Sequence, residues 1–160
     1  WLIALVSDTG MRLAEATGLL VEDINLDVDI PFVSLKSHPW RPLKTEGSRR
    51  DIPLVGQSLW SAKRIKAMAQ SKFAFPRYNT ASVTSTNSAS ATLNKWLKSK
   101  GLGLYTMHSF RHSLRDRLRN VNCPSEVVDQ IGGWSNKTVG QSYGNGYRLC
   151  DLNIWMQKLV

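Results

Sequence analysis

The stretch HSFRH, residues 108 to 112, sets His108 and Arg111 at i, i+3 and His108 and His112 at i, i+4, which on a helix brings all three near one face. Two chemistries suit those residue types. Histidines one turn apart have the spacing of a helical zinc site, but the zinc-protease pattern needs a glutamate directly after the first histidine, and Ser109 stands there. His38 is the one further histidine and no carboxylate presents itself as a third ligand, so the pattern argues against a metal. The other chemistry is phosphate binding: arginine offers a planar fork for two oxygens, and histidine can donate or shuttle a proton. By itself, His-x-x-Arg is also what an ordinary surface helix contains.

Three more places hold groups of the same kind. Arg12, in TGMRLAEATGLL, falls in the first turn of a helix that opens at a Thr-Gly turn, where free N–H groups and the helix dipole favour an anion. Glu15, at i, i+3, is placed to hold its guanidinium; an exposed arginine with a helical partner is the plainer alternative. Lys44 stands at the edge of a hairpin, where its ammonium can reach into a groove or simply be solvated. In GGWSNKTVGQSYGNGYRL, Trp134 precedes Tyr143 and Tyr147, which are four apart. Tyrosines so spaced usually line a core face, and at a reference pKa of about 10 a tyrosine is a poor nucleophile without a base or a cationic pocket.

Something must position these groups. A chain of 160 residues suits one domain, and at that length roughly 70% of the unfolded surface can be buried, so neither metal nor disulfide is needed to hold a core. With 21 Lys and Arg against 12 Asp and Glu, the formal net charge of +9 points to a polyanionic partner. Nucleic acid is favoured over anionic lipid, because no basic amphipathic helix has a clean apolar face. Cys123 and Cys150 match no metal-ligand spacing and suit a reducing cytoplasm. The opening WLIALVSDTG reads as helix, is interrupted by Asp8 too soon to span a bilayer, and lacks an initiator methionine. The expectation is a single domain over residues 1–160, cut from a longer protein.

The hydrophobic period predicts a mainly helical α+β domain with one small antiparallel sheet. β-branched and aromatic residues alternate with polar ones around Pro31 to Leu35, and Arg50 to Leu54 reads as the returning strand, with Glu46 and Gly47 in the turn. GQSLWSAKRIKAMAQSKF returns to helical spacing. PRYNTASVTSTNSAS reads as a loop, followed by helices at ATLNKWLKSK, HSFRHSLRDRLRNV, PSEVVDQIG and SNKTVGQSY. Pro124 fits the first turn of the third of these. The tail DLNIWMQKLV offers Leu152, Ile154, Trp155 and Leu159 as an apolar face, to pack on its own domain or on a neighbouring subunit.

Taken in order, Thr-Gly-Met-Arg12 with Glu15, Lys44 in LKTEGSRRDIPL, His108 and Arg111 in HSFRH, and Trp134 nine positions before Tyr143 resemble the tyrosine recombinase or phage-type integrase family. The resemblance runs from Arg12 to Tyr143. It implies a chiefly helical catalytic domain with a small antiparallel sheet, acting on double-stranded DNA without metal or other cofactor. It further implies Arg12 and Arg111 as phosphate clamp, His108 as base, Lys44 as general acid and Tyr143 as nucleophile, with Tyr147 left to packing. Trp134, standing where many relatives have histidine, can donate its indole N–H but cannot exchange a proton. A lysine pKa lowered by partial burial beside arginines would suit Lys44 to its role.

The same resemblance implies an amino-terminal DNA-binding domain outside this chain, a homo-tetramer assembled on DNA, no membrane association, and the cytoplasm of a bacterial or phage-infected cell. Three alternatives remain: a topoisomerase using the same chemistry, a basic DNA-binding module without catalysis, and a metal-dependent nuclease. The last needs a carboxylate cluster, which the scattered Asp and Glu residues do not provide.

Overall fold

The apolar run that opens the chain forms a helix at the centre of the domain in the computed structural model, which describes residues 1–45, 48–134 and 146–160. In chain order the described elements are α1 (Leu2–Thr9), α2 (Leu13–Thr17), β1 (Ile24–Asn25), β2 (Phe32–Leu35), β3 (Arg50–Pro53), α3 (Gly56–Ala67), α4 (Thr86–Ser99), α5 (Met107–Asn120), α6 (Ser125–Gly132) and α7 (Leu149–Gln157). Helix α1 buries Leu2, Leu5 and Val6 against α3 and α5. Asp8, the residue that interrupts the run, is buried too. Its Oδ2 accepts the Gln57 and Ser58 N–H groups at 2.8 and 3.3 Å, satisfying orphan donors at the start of α3. Its Oδ1 accepts Arg117 Nη2 at 2.8 Å, so one carboxylate joins α1, α3 and α5.

The sheet is antiparallel in the order β1-β2-β3, with Val33 opposite Ile52 and Leu35 opposite Arg50. Val33, Leu35 and Ile52 are fully buried, and α6 and α7 both pack on β3. The expected hairpin is therefore present within one residue at its ends, and β1 is a third strand that the sequence pattern did not announce.

Four expectations need correcting. Helix α2 has only five residues and Arg12 is its N-cap, not part of its first turn. Helix α4 begins at Thr86, five residues before the expected start. Ser and Thr compete for backbone hydrogen bonds and so imitate a loop, but burial of Ala89 and Leu97 holds the segment helical. Pro124 is the N-cap of α6, one place before the first turn. In α7 the core face is Leu152 with Met156, one turn apart; Ile154, half a turn away, is 58% exposed. That face packs on the domain's own β3. The expected turn at Glu46 and Gly47 and the expected helix over residues 135–143 lie outside the described residues.

Candidate active site

The site begins at the turn between α1 and α2. Gly10 ends α1 in the left-handed region (φ 60°), a conformation that glycine adopts without strain. Its carbonyl accepts Arg111 Nη1 at 2.6 Å. On α5, Met107, Arg111, Leu114 and Leu118 share the buried stripe, so helical period alone carries the arginine into the interior. Arg111 is 3% exposed and its Nη2 has no partner among the described residues. Burial pushes its pKa down to about 10, with the charges of Arg12 and Arg50 adding to the effect. It therefore remains a cation at neutral pH with a donor unspent.

Arg12 reaches the same place from the other side of the turn. Its Nη1 donates to Glu15 Oε1 at 2.6 Å and to Ser48 Oγ at 3.2 Å, and its Nη2 to the Gly133 carbonyl at 3.4 Å. Glu15 also accepts the Arg12 backbone N–H, at 2.9 Å, so one carboxylate fixes both ends of the residue. The arginine side chain keeps 28% of its surface in solvent while Glu15 keeps 5%. Burial alone would raise the Glu15 carboxyl, but the charge of Arg50 and the hydrogen bonds from Arg50 and Arg12 outweigh it and the pKa is lowered. The carboxylate is thus held ionised.

Gly132, Gly133 and Trp134 close the site. Trp134 folds back over Gly132 so closely that a Cβ there would lie 1.7 Å from the ring, and Gly133, at φ 62°, leaves room for the Arg50 guanidinium. The indole meets two cations of α5, its ring centre 4.3 Å from Arg111 Cζ and 5.0 Å from Arg115 Cζ. Arg115 is anchored by Asp129 at 3.2 Å. This stacking fixes the ring. The Trp134 Nε1–H, expected to donate to a phosphate, makes no hydrogen bond within the described residues.

His108 is exposed one turn before Arg111, its ring 4.9 Å from that of His112. Its pKa is lowered by partial desolvation, then by His112, Arg111 and Arg12, which favours the neutral imidazole that a base requires. Among the described residues no third ligand joins the two histidines, and no three His, Cys, Asp or Glu side chains converge. A groove of about 350 Å³ opens beside His108, lined by Met11 and by Thr86, Asn87, Ser90 and Asn94 of α4.

The structure thus brings Arg12, Glu15, Arg111, Trp134 and His108 together. Lys44 stands apart: it is exposed, not partly buried beside arginines as expected, and its tie to the site is indirect. Its neighbour Thr45 meets Ser48 Oγ at 3.0 Å, and Ser48 holds Arg12. Tyr143 lies outside the described residues. Tyr147, given a packing role, is exposed instead; its hydroxyl donates to Glu126 at 3.0 Å, and Gln130 clamps its backbone N–H and carbonyl at 2.8 and 2.7 Å. Sequence reasoning missed Arg50 and Arg115. The signal for Arg50 was available: it shares strand parity with Ile52, so the alternation of β3 points it inward.

A buried carboxylate thus braces two arginines near a histidine, on a mainly helical α+β domain with a three-stranded antiparallel sheet. The chain belongs to the phage integrase family, whose model matches residues 1–147. The fold is that of the integrase of transposon Tn1549. One structure of that integrase, in complex with circular intermediate DNA, superposes with a TM-score of 0.65 at 19% identity, covering 96% of this chain and 55% of the other. A second, with transposon right end DNA, gives a TM-score of 0.56 at 21% identity, covering 98% and 57%. The chain therefore spans a little over half the length of the integrase structures it matches. No curated protein matches the sequence.

Proposed function

We propose that this domain cleaves and rejoins double-stranded DNA through a tyrosyl intermediate, as the catalytic part of a site-specific recombinase or integrase. The observation that carries the reading is the buried Nη2 of Arg111, unpartnered among the described residues, with Arg12 across the turn after α1 and His108 one helical turn before it. A phosphodiester gathers negative charge on its non-bridging oxygens at the transition state, and fixed cations aimed there stabilise it most. Arg12 and Arg111 supply that clamp, and the Trp134 indole N–H adds a donor. His108 takes the proton of the Tyr143 hydroxyl as its oxygen attacks phosphorus. The bond to the 5′ oxygen breaks as Lys44 protonates the leaving group, which leaves a 3′-phosphotyrosyl link and a free 5′ hydroxyl. Attack by a 5′ hydroxyl from another strand reverses the step, so bond energy is conserved and no metal or cofactor enters.

Support for the DNA partner comes from the net charge of +9 and from the DNA complexes of the related integrase. On this reading the domain works as part of a tetramer assembled on DNA, without a membrane, in the cytoplasm of a bacterial or phage-infected cell. Incubation with a nicked DNA that traps the intermediate, followed by denaturing electrophoresis, should give a covalent protein–DNA band that Tyr143→Phe loses and Tyr147→Phe keeps. A band lost only in Tyr147→Phe would overturn the assignment of the nucleophile, and binding without any band would favour a basic DNA-binding module.

A further inference from the structure

Arg50 is a buried cation of the site and has no role in the chemistry just described. Its side chain is 4% exposed, and its guanidinium uses all three nitrogens. Nε donates to the Ile131 carbonyl at 2.9 Å, Nη1 to the Ser48 carbonyl at 2.8 Å and Nη2 to Glu15 Oε2 at 3.1 Å. Each partner belongs to a different carrier of a functional residue. Ser48 lies in the connection that holds Lys44, Glu15 braces Arg12, and Ile131 is in the last turn of the helix that leads into Trp134. The flat face of the same guanidinium lies against Gly133, where a Cβ would come within 2.6 Å of Nη1. That glycine's carbonyl is in turn a partner of Arg12.

We infer that Arg50 is a positioning residue, the joint that sets Arg12, through Glu15, Ser48 and Gly133, at the depth and angle from which it meets the scissile phosphate. The inference rests on the function proposed above. Arg50 is enclosed and each of its three nitrogens already donates to a group inside the protein, which sets it behind Arg12 as a positioning residue. Arginine is required for its geometry: a planar fork with donors in three directions meets two carbonyls and a carboxylate at once, whereas lysine, with a single nitrogen, keeps the charge and cannot span them. Arg12 Nη1 and Arg50 Nη2 approach opposite oxygens of Glu15, so withdrawal of Arg50 leaves Oε2 to the Arg12 backbone N–H alone and loosens the side-chain pair of Arg12 and Glu15.

The test separates positioning of a charge from loss of structure. Cleavage of a nicked trap substrate is measured at saturating DNA, once with an ordinary phosphate and once with a neutral methylphosphonate at the scissile position, for the unaltered chain, Arg12→Ala, Arg50→Lys and Arg50→Met. Arg50→Lys, which keeps a cation beside Glu15, should keep the fold by circular dichroism and the DNA dissociation constant within about threefold. It should lose about 30-fold to 100-fold in cleavage rate on phosphate, a fraction of what removing a catalytic donor outright costs. On methylphosphonate the loss should shrink below about fivefold and follow that of Arg12→Ala, because the charge that Arg12 is positioned to meet is gone. Arg50→Met should show the same pattern, more strongly. Equal losses on both substrates, or undiminished cleavage by Arg50→Lys on phosphate, would overturn the inference. If the unaltered chain forms no covalent complex with either substrate, the proposed function itself fails, a result distinct from both.

Discussion

Two buried carboxylates, Glu15 and Asp23, each gather cations, and the two groups differ in what they leave exposed. Glu15 faces Arg12 and Arg50, with Arg111 close by; Arg12 is partly in solvent and His108 is exposed, while Arg111 is buried with its Nη2 unpartnered among the described residues. Asp23 is wholly buried. It accepts the Leu20 N–H at 3.0 Å and His38 Nε2 at 2.9 Å, with Lys36 at 3.3 Å and the enclosed Arg41 at 4.0 Å. Trp40 seals this second group, stacking on His38 at 4.8 Å while its indole N–H donates to the Gly18 carbonyl at 3.1 Å. A carboxylate that holds cations inward strengthens a fold. One that holds a cation partly in solvent, as Glu15 holds Arg12, leaves it able to meet an anion. The difference lies in the arginine each carboxylate holds: Arg12 keeps 28% of its side chain in solvent, whereas Arg41 keeps 2%.

The contrast can be broken most forcefully at Asp23. Asp23→Ala leaves Arg41 and His38 facing an empty pocket, and loss of one partner from a buried ionic group costs about 3–5 kcal/mol. Chemical denaturation should register that loss, while DNA cleavage by the fraction still folded should be nearly unchanged. A folded fraction that is inactive would mean that the closed cluster also serves the site.

Next comes Arg111→Ala, expected to lower cleavage at saturating DNA by about 10²-fold to 10³-fold, as removal of a donor to a developing oxyanion does. DNA binding should fall far less. Undiminished cleavage would refute the clamp and make the open cluster merely structural.

The smallest effect concerns how the open cluster's charge acts on its own members. His108 must be neutral to accept a proton, and its folded pKa is lowered from 6.5. As pH falls, cleavage at subsaturating DNA, which reports the free enzyme, should hold through 6.5 and decline only below it. His108→Gln should lower the rate and remove that acidic limb. A limb at or above 6.5 would mean that the neighbouring cations do not reach the imidazole.

Much of this was legible before any coordinates. The α5 stripe of Met107, Arg111, Leu114 and Leu118 has helical period, and the alternation through Arg50, Asp51 and Ile52 has strand period, because local steric rules repeat every 3.6 and every two residues. The order Arg12, Lys44, His108, Arg111, Trp134, Tyr143 was enough to point to the family, since several residue types and two tight spacings had to coincide. The start of α4 and the short β1 were not legible. Thr86 to Ser90 read as a loop by composition, and two residues are too few to form a pattern.

The sequence by itself determined the residue types, their order and which face of each element they occupy, because those follow from local covalent geometry and from burial of apolar side chains. Only the tertiary structure decided who meets whom. Glu15 lies 35 residues from Arg50, and Arg111 lies 101 from Gly10. No local period encodes such pairs. They arise when α1, β3, α5 and α6 pack on one core and their buried polar groups must find partners or go unsatisfied. That requirement gave an unremarked arginine of the SRR run three partners from distant parts of the chain, and left one nitrogen of Arg111 without a partner among the described residues.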